Sequence, residues 1–123
     1  MEVIYTKDAP EAIGPYSQAI KVGNLVFTSG QIPINPATGT VEAATIEAQT
    51  EQVCKNISAV LTAAGSSLEK VVKTVCFLSN IEDFAAFNGV YSKYFTGKPA
   101  RSCVAVKTLP KNVLVEVDTV AEI

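Results

Sequence analysis

The sequence predicts an α+β fold in which one six-stranded, mostly antiparallel sheet carries two helices on one face. The apolar patterns run strand, strand, helix, strand, helix, strand, strand, after a short apolar segment near the start. No repeat, low-complexity segment or linker divides the chain. Its 123 residues, 48% of them hydrophobic, are enough to bury one core. We therefore expect residues 1–123 to form a single domain.

The first predicted elements are short strands separated by turn residues. Val3 to Tyr5 is a short apolar segment typical of an edge strand. Tyr16 to Val22 and Leu25 to Thr28 flank Gly23-Asn24, and this arrangement predicts a β-hairpin. Prolines and a glycine mark residues 32–40 as a loop.

Two helices and a buried strand follow. From Thr45 to Ala64 the apolar residues recur at three- and four-residue steps, and Gly65 stands where helices commonly end. Val71 to Leu78 is rich in β-branched residues, which predicts a buried strand. A second helix is expected to begin at residue 80 or 82 and to end before Gly97.

Two strands close the chain, at about residues 100–108 and 113–123. In the last strand Val113, Val115, Val117 and Ala121 share the face predicted to meet the helices. The opposite face combines apolar residues with two carboxylates, at positions 116 and 118, and residues 25–27 are also apolar on both faces. A second face this apolar is rarely left to water, so we expect a homo-oligomer.

Composition excludes several classes of function. The chain has no His, which excludes His-ligated metals and His-dependent catalytic triads. Cys54, Cys76 and Cys103 are far apart and form no CxxC pair, so we expect neither a zinc site nor a redox dithiol. A net charge of −2 gives no support for nucleic-acid binding. The N-terminus has no signal-peptide pattern and no segment spans a membrane, so we expect a cytoplasmic protein without a membrane partner.

Three side chains are the main candidates for chemistry. Arg101 is the only arginine, and its planar fork can hold a carboxylate as lysine cannot; a surface ion pair is the alternative. Glu116 is the candidate base if its face is partly desolvated, with Asp118 as its competitor, and a solvated charge is the alternative. Cys103 shares a strand face with Arg101, but no histidine is available to activate its thiol.

Other positions carry weaker signals. Gly30, in Ser29-Gly30-Gln31, would let backbone approach a ligand closely, and a β-bulge is the alternative. Tyr16 follows the Gly14-Pro15 turn and is either structural or part of a pocket. Asn88 interrupts the aromatic face of the second helix, next to Phe87, and simple exposure is the alternative.

Several segments together resemble the RidA (YjgF-type) family. They are GPYSQA at 14–19, SGQIP at 29–33, QVCKNISAVLTAAG at 52–65, FAAFNGVYSKYF at 84–95 and PARS at 99–102. The likeness covers nearly the whole chain, and PARS followed downstream by Val115-Glu116 is its most specific part. Val117 stands where many members have Met or Ile. The chain is most similar to the bacterial RidA subgroup, which keeps the arginine.

The resemblance implies a chorismate-mutase-like homotrimer with ligand clefts between subunits. It implies that Arg101 binds a substrate carboxylate, that Glu116 positions or activates water, and that Gly30 offers its N–H to the carboxylate. It further implies that the pocket is completed by Cys103, Tyr16 and Ser29, with Phe87 and Asn88 approaching from a neighbouring subunit.

The activity implied by the resemblance is cofactor-free hydrolysis of reactive 2-imino acids and their enamines, of the 2-aminoacrylate type, to 2-keto acids and ammonia. Such a 2-iminobutanoate/2-iminopropanoate deaminase has to orient its substrate, and it needs one base and one cationic group that binds the carboxylate. A chain without histidine can meet these requirements. Two alternatives stay open. One is a regulatory protein that binds a small carboxylate, and the other is an endoribonuclease or translation inhibitor, a name that some relatives carry.

Overall fold

A computed structural model describes all residues, 1–123. The strands are β1 (Glu2–Ile4), β2 (Ala19–Val22), β3 (Leu25–Thr28), β4 (Val71–Leu78), β5 (Ala100–Ala105) and β6 (Val115–Glu122). The helices are α1 (Ile46–Ala63) and α2 (Phe84–Tyr94), and three short 3₁₀ turns lie at 68–70, 81–83 and 110–112. Neither long helix, nor any other, has the length and apolar character that crossing a membrane requires.

All six strands belong to one sheet, in the order β1-β2-β3-β6-β4-β5. Every neighbouring pair is antiparallel except β4 and β5, which run parallel. Helix α1 packs on β3 and β6, and α2 packs against α1. The predicted α+β fold, a mostly antiparallel six-stranded sheet with two helices on one face, is confirmed.

Helix α1 forms where its sequence favours it. Thr45 is the N-cap, and its side-chain oxygen accepts a hydrogen bond from the N–H of Ala48 at 3.1 Å. Gly65 follows the helix with φ +84°, a left-handed backbone that glycine adopts without strain. The apolar stripe is buried as the spacing predicts, and includes Val53, Ile57 and Leu61.

Strand β6 alternates between the core and the open side of the sheet. Val115, Val117 and Ala121 are fully buried under the helices. Glu116 and Asp118 point the other way and are half-buried. The predicted division of this strand into two faces is therefore confirmed, and it follows from the two-residue period of a strand.

The face of the sheet that the helices leave uncovered is apolar, and we call it the open face. Phe27 and Val120 are register partners on it, and so are Phe77 and Val104. Phe27 remains 44% exposed and Val104 46%. Large apolar side chains share this face with Glu116 and Asp118, and exposed apolar groups on an uncovered sheet favour contact with another protein surface.

Four boundaries differ by two or more residues from the sequence prediction. β2 begins at Ala19 and not at residue 16, β5 ends at Ala105 and not at 108, and β6 begins at Val115 and not at 113. Helix α2 begins at Phe84, after the 3₁₀ turn at 81–83, and not at residue 80 or 82. Immediately before β2, the Gln18 side chain is bonded to the N-terminal loop. Its buried amide accepts from the N–H of Thr6 at 2.7 Å and donates to the carbonyls of Thr6 and Pro10, at 3.0 and 2.8 Å. These bonds hold the preceding segment as a loop against the sheet.

Two further buried amides attach loops to α1. Asn56 donates to the carbonyls of Ile32 and Ile34 at 3.1 and 2.9 Å. Gln49 donates to the carbonyl of Ala43 and accepts from the N–H of Leu114 at 2.8 Å. Loop backbone needs hydrogen-bond partners when it is buried, and these side chains provide them.

Replacing Asn56 by Ala is expected to lower the free energy of unfolding by about 2 to 4 kcal/mol, because two buried carbonyls lose their donors. Asn24→Ala is the matched control, since Asn24 is exposed and its side chain makes no hydrogen bond. Urea unfolding followed by circular dichroism measures both changes. An Asn56→Ala loss no larger than that of the control would contradict the role of this amide.

Candidate functional site

Strand β5 is an edge strand whose register decides where Arg101 points. Arg101 pairs with Thr74 of β4, and Cys103 pairs with Cys76. Thr74 and Cys76 are fully buried under the helices. Residues paired across neighbouring strands point to the same face, so Arg101 and Cys103 lie on the helix side of the sheet.

The Arg101 guanidinium lies against one face of α2. Its Nη1 donates to Oδ1 of Asn88 at 2.7 Å, and its Cζ lies 4.8 Å from the ring centre of Tyr91 and 5.4 Å from that of Phe84. These three residues are four and three positions apart, so they form one helical stripe. The only ion pair in the structure joins two residues of α1, so Arg101 has no carboxylate partner. The surface ion pair, the alternative for Arg101, is therefore excluded within the protomer.

A cleft of about 380 Å³ opens at this guanidinium, and we call it the arginine cleft. Its lining includes Arg101, Asn88, Tyr91 and Lys98. Lys98 belongs to the short connection between α2 and β5 and has φ +51°. The cleft therefore presents two cations and an amide on an aromatic floor, a surface suited to an anion.

A second cleft, of about 400 Å³, contains the glutamate, and we call it the glutamate cleft. Its polar lining comes from Glu116, Gly30, Ser29 and Tyr16, and its remaining lining residues are Ile13, Ile32 and Pro110. Tyr16 shapes the rim through its hydroxyl, which accepts from the N–H of Ile13 at 3.2 Å. The Ser29 hydroxyl donates to the carbonyl of Ser17 at 2.6 Å, so its own donor is used inside the protomer.

A β-bulge brings Gly30 against Glu116. Phe27 pairs with Val120, and the next pairing joins Gln31 to Val117, so four steps on one strand face three on the other. A Cβ on Gly30 would collide with the Glu116 carboxyl oxygen and lie 2.9 Å from its carboxyl carbon. The Gly30 N–H donates to no group of the protomer. The bulge predicted as the alternative for Gly30 is therefore present, and its backbone lies close to the Glu116 carboxyl group.

The electrostatics of the two clefts favour different chemistry. Burial raises the pKa of Glu116, and the neighbouring Asp118 raises it further, so this carboxylate holds a proton more readily than an exposed glutamate. Burial also raises the pKa of Cys103, and Arg101 opposes that shift only in part. Cys103 is thus a thiol rather than a nucleophilic thiolate. The pKa values of Cys54 and Cys76 rise to about 12 through burial, so these residues behave as small apolar side chains.

The structure divides the predicted site residues into two groups. Arg101, Cys103 and Asn88 lie on the helix side, in or beside the arginine cleft. Glu116 lies on the open face, because its register partner is Phe77. Gly30, Ser29 and Tyr16 share the glutamate cleft with it. Within one protomer the arginine and the glutamate therefore do not meet.

One predicted site residue is corrected. Phe87 is fully buried in the core and packs against Tyr91 with the rings tilted and their centres 5.3 Å apart, so it reaches neither cleft. Sequence reasoning also missed two residues around Arg101, Tyr91 and Thr74. The spacing of Tyr91, three residues after Asn88, was the available signal, because it places both side chains on one helix face.

No group of three or more His, Cys, Asp or Glu side chains is placed to hold a metal ion. The chemistry of both clefts is accordingly described by the guanidinium, the carboxylate, side-chain amides and backbone groups.

Comparisons with known proteins agree with this architecture. The family model described as endoribonuclease L-PSP matches residues 6–123. A Lactococcus lactis protein named AldR and described as a candidate regulator is 56% identical, over 100% of this chain and 98% of its own. The structure of YyfA from Yersinia pestis, of the conserved Rid protein family, has a TM-score of 0.96 and 52% identity, covering 99% of this chain and 98% of that one. The structure of E. coli TdcF with bound serine has a TM-score of 0.95 and 40% identity, covering 100% and 99%.

Replacing Asp118 by Asn is expected to lower the pKa of Glu116, because a like charge that disfavours its ionisation is removed. Carbon-13 NMR titration of the glutamate carboxyls measures this pKa. Glu47→Gln, which removes a charge from the first turn of α1 on the helix side, serves as the control and leaves the Glu116 titration in place. An unchanged or higher Glu116 pKa in Asp118→Asn would contradict the coupling.

Proposed function

The chain belongs to the RidA (YjgF-type) family, whose family model is described as endoribonuclease L-PSP, and on that basis we propose that it hydrolyses 2-imino acids. The substrates are reactive imines and enamines of the 2-aminoacrylate type, and the products are 2-keto acids and ammonia. The observation that carries the proposal is the pair of complementary clefts. One presents an arginine without a carboxylate partner, and the other a partly desolvated glutamate beside a free backbone N–H.

The complete site forms between two protomers. Arg101 lies on the helix side and Glu116 on the open face of the same sheet, so one substrate cannot contact both within a protomer. The open face is apolar and so suited to burial in an oligomer. When one copy packs on it, the arginine cleft of that copy meets the glutamate cleft of its neighbour.

Such a contact joins two different surfaces, so it is head-to-tail. A head-to-tail interface that closes produces a ring, whereas a two-fold dimer uses the same surface twice. A ring in which every protomer supplies one arginine cleft and one glutamate cleft has as many complete sites as subunits. A trimer is the number that the resemblance to the family implies.

Arg101 holds the substrate carboxylate in this mechanism. Asn88 occupies only Nη1, so the other guanidinium donors remain for bidentate binding. The Gly30 N–H of the neighbouring protomer supplies a further donor to the same carboxylate. The crystallised complex of TdcF with serine supports a carboxylate-binding cleft in this family, because serine carries the same α-carboxylate as a 2-imino acid.

Glu116 activates the water. Its carboxylate removes a proton from water as the oxygen bonds to C2 of the protonated imine, and the C=N π electrons move to nitrogen. The product is a carbinolamine. The proton held by Glu116 then passes to the amine nitrogen. As the C–N bond breaks, the hydroxyl O–H electron pair forms the C=O bond of the 2-keto acid, the hydroxyl proton returns to the Glu116 carboxylate, and Glu116 passes it to the departing ammonia, which leaves as ammonium. The raised pKa of Glu116 makes it a stronger base than an exposed glutamate, which suits these proton transfers.

The regulatory alternative rests on one finding, the description of AldR as a candidate regulator. In that function the same clefts bind a small carboxylate without turning it over. Tight binding of a 2-keto acid together with no acceleration of imine hydrolysis would favour it. The endoribonuclease name of the family model has less support in this chain, which has no histidine and a net charge of −2.

Arg101→Lys and Arg101→Ala are both expected to lower kcat/KM by about 100-fold, because lysine keeps the charge but not the bidentate fork. Glu116→Gln is expected to lower it by about 100-fold or more, through loss of the base. The assay generates the imine from serine with a dehydratase and follows the keto acid with lactate dehydrogenase. Lys107→Ala, outside both clefts, is the control. Near-normal turnover by Arg101→Ala would refute the assignment.

Mixing two inactive variants tests whether the site is shared. Arg101→Ala and Glu116→Gln, unfolded together in equal amounts and refolded, should recover about one quarter of the wild-type activity, because that share of interfaces combines both intact residues. Each variant refolded alone stays inactive. Recovery is impossible if both residues act from the same protomer, so a mixture without activity would contradict the shared site.

A further inference from the structure

The ring of Tyr91 forms the surface on which the Arg101 guanidinium rests, at 4.8 Å from Cζ to the ring centre. We propose that Tyr91, anchored by Thr74, is a positioning residue that orients Arg101 for carboxylate binding. The inference rests on the proposed function in one respect, since it takes Arg101 as the group that binds the carboxylate. It adds two residues that act through Arg101 and not on the reacting atoms.

The Tyr91 ring is held on several sides. Its hydroxyl and the Thr74 hydroxyl are hydrogen-bonded at 2.8 Å, and Thr74 is fully buried. Phe95 stacks on the ring with centres 4.5 Å apart, and Phe87 packs at 5.3 Å with the planes inclined by 41°. Only 8% of Tyr91 is exposed. A ring packed this closely cannot swing away when the guanidinium moves.

Thr74 connects this platform back to Arg101 itself. Thr74 and Arg101 are register partners on the parallel strands β4 and β5. Three contacts therefore link these residues: Arg101 lies on the Tyr91 ring, the Tyr91 hydroxyl bonds the Thr74 hydroxyl, and Thr74 pairs with Arg101 across the two strands. Because these contacts join α2 to both strands, the position of the ring is defined relative to the backbone that carries the arginine.

Asn88 and Tyr91 restrain the guanidinium in different ways. The Asn88 amide holds one nitrogen by a hydrogen bond at 2.7 Å, which leaves the group free to tilt about that point. The Tyr91 ring attracts the guanidinium to its face and prevents the tilt. A preorganised fork loses less entropy when it binds a carboxylate, so the platform should contribute to affinity.

A leucine at position 91 is expected to weaken binding of 2-oxobutanoate, a stable 2-keto acid, by about tenfold, which is about 1.4 kcal/mol. Tyr91→Phe and Thr74→Val keep the packing and remove only the anchor, so each should weaken binding by a smaller factor, about threefold. Isothermal titration calorimetry on the assembled oligomer measures the dissociation constants. In turnover assays KM should rise while kcat stays nearly unchanged, because the carboxylate contact is made equally in ground and transition states.

A double-mutant cycle separates positioning from general damage to the fold. In an Arg101→Ala background, Tyr91→Leu, Tyr91→Phe and Thr74→Val should cause no further loss of keto-acid affinity. Tyr94→Leu, a neighbouring tyrosine of α2 that does not contact the guanidinium, is the matched control and should leave affinity unchanged. Equal losses with and without Arg101 would overturn the proposal, and so would unchanged affinity in Tyr91→Phe and Thr74→Val.

Failure here is distinguishable from failure of the proposed function. Keto-acid binding needs no turnover, so a protein that binds through Arg101 and Tyr91 but hydrolyses no imine would refute the deaminase activity and support the positioning role. If Arg101→Ala bound 2-oxobutanoate with wild-type affinity, the positioning role would be refuted, whether or not the protein hydrolysed imines. Should Tyr91→Leu not fold, the isosteric Thr74→Val and Tyr91→Phe carry the same test.

Discussion

Hydrogen bonding between β4 and its two neighbours determines which side of the sheet each functional side chain occupies. The parallel pairing with β5 turns Arg101 towards the helices, and the antiparallel pairing with β6 turns Glu116 towards the open face. Shifting either pairing by one residue would exchange these sides, because side chains alternate along a strand. The separation of Glu116 from Arg101 within a protomer, on which the proposed intersubunit site rests, depends on this register.

Loops complete the clefts, and buried amides hold the loops. Gln18 and Asn56 occupy the interior with every polar atom paired to backbone or to another amide, so the segments at 6–10 and 32–34 are attached to the sheet and to α1. A β-bulge then frees the Gly30 N–H next to Glu116. Burying these amides costs free energy because they lose their hydrogen bonds to water. Their hydrogen bonds to loop backbone offset that cost and hold the loops in place.

The two clefts surround their charged side chains in different ways. Around Arg101 an amide and aromatic faces stabilise a cation without neutralising it, so its charge remains available to an anion. Around Glu116 burial and Asp118 make ionisation harder, so the carboxylate becomes a better proton acceptor. An activated substrate such as an imine needs this combination of an anion clamp and a modest base, and it needs no histidine.

Local patterns in the sequence were sufficient for much of this protein. The period of apolar residues determined the faces of α1 and β6, and the composition directed attention to Arg101 and Glu116. The attachment of the loop at residues 6–10 through the buried Gln18 side chain was not predictable from propensity, because it depends on contacts outside any strand or helix. Phe87 was assigned to the pocket by the family resemblance, whereas the aromatic pattern of the second helix places it on the inner face, where it is buried. The contacts of Tyr91 and Thr74 with each other and with Arg101, and the presence of two separate clefts, were decided by tertiary structure alone. Periodicity reports the side of an element on which a residue lies, whereas distances between elements arise only when strand register and helix packing bring distant residues together.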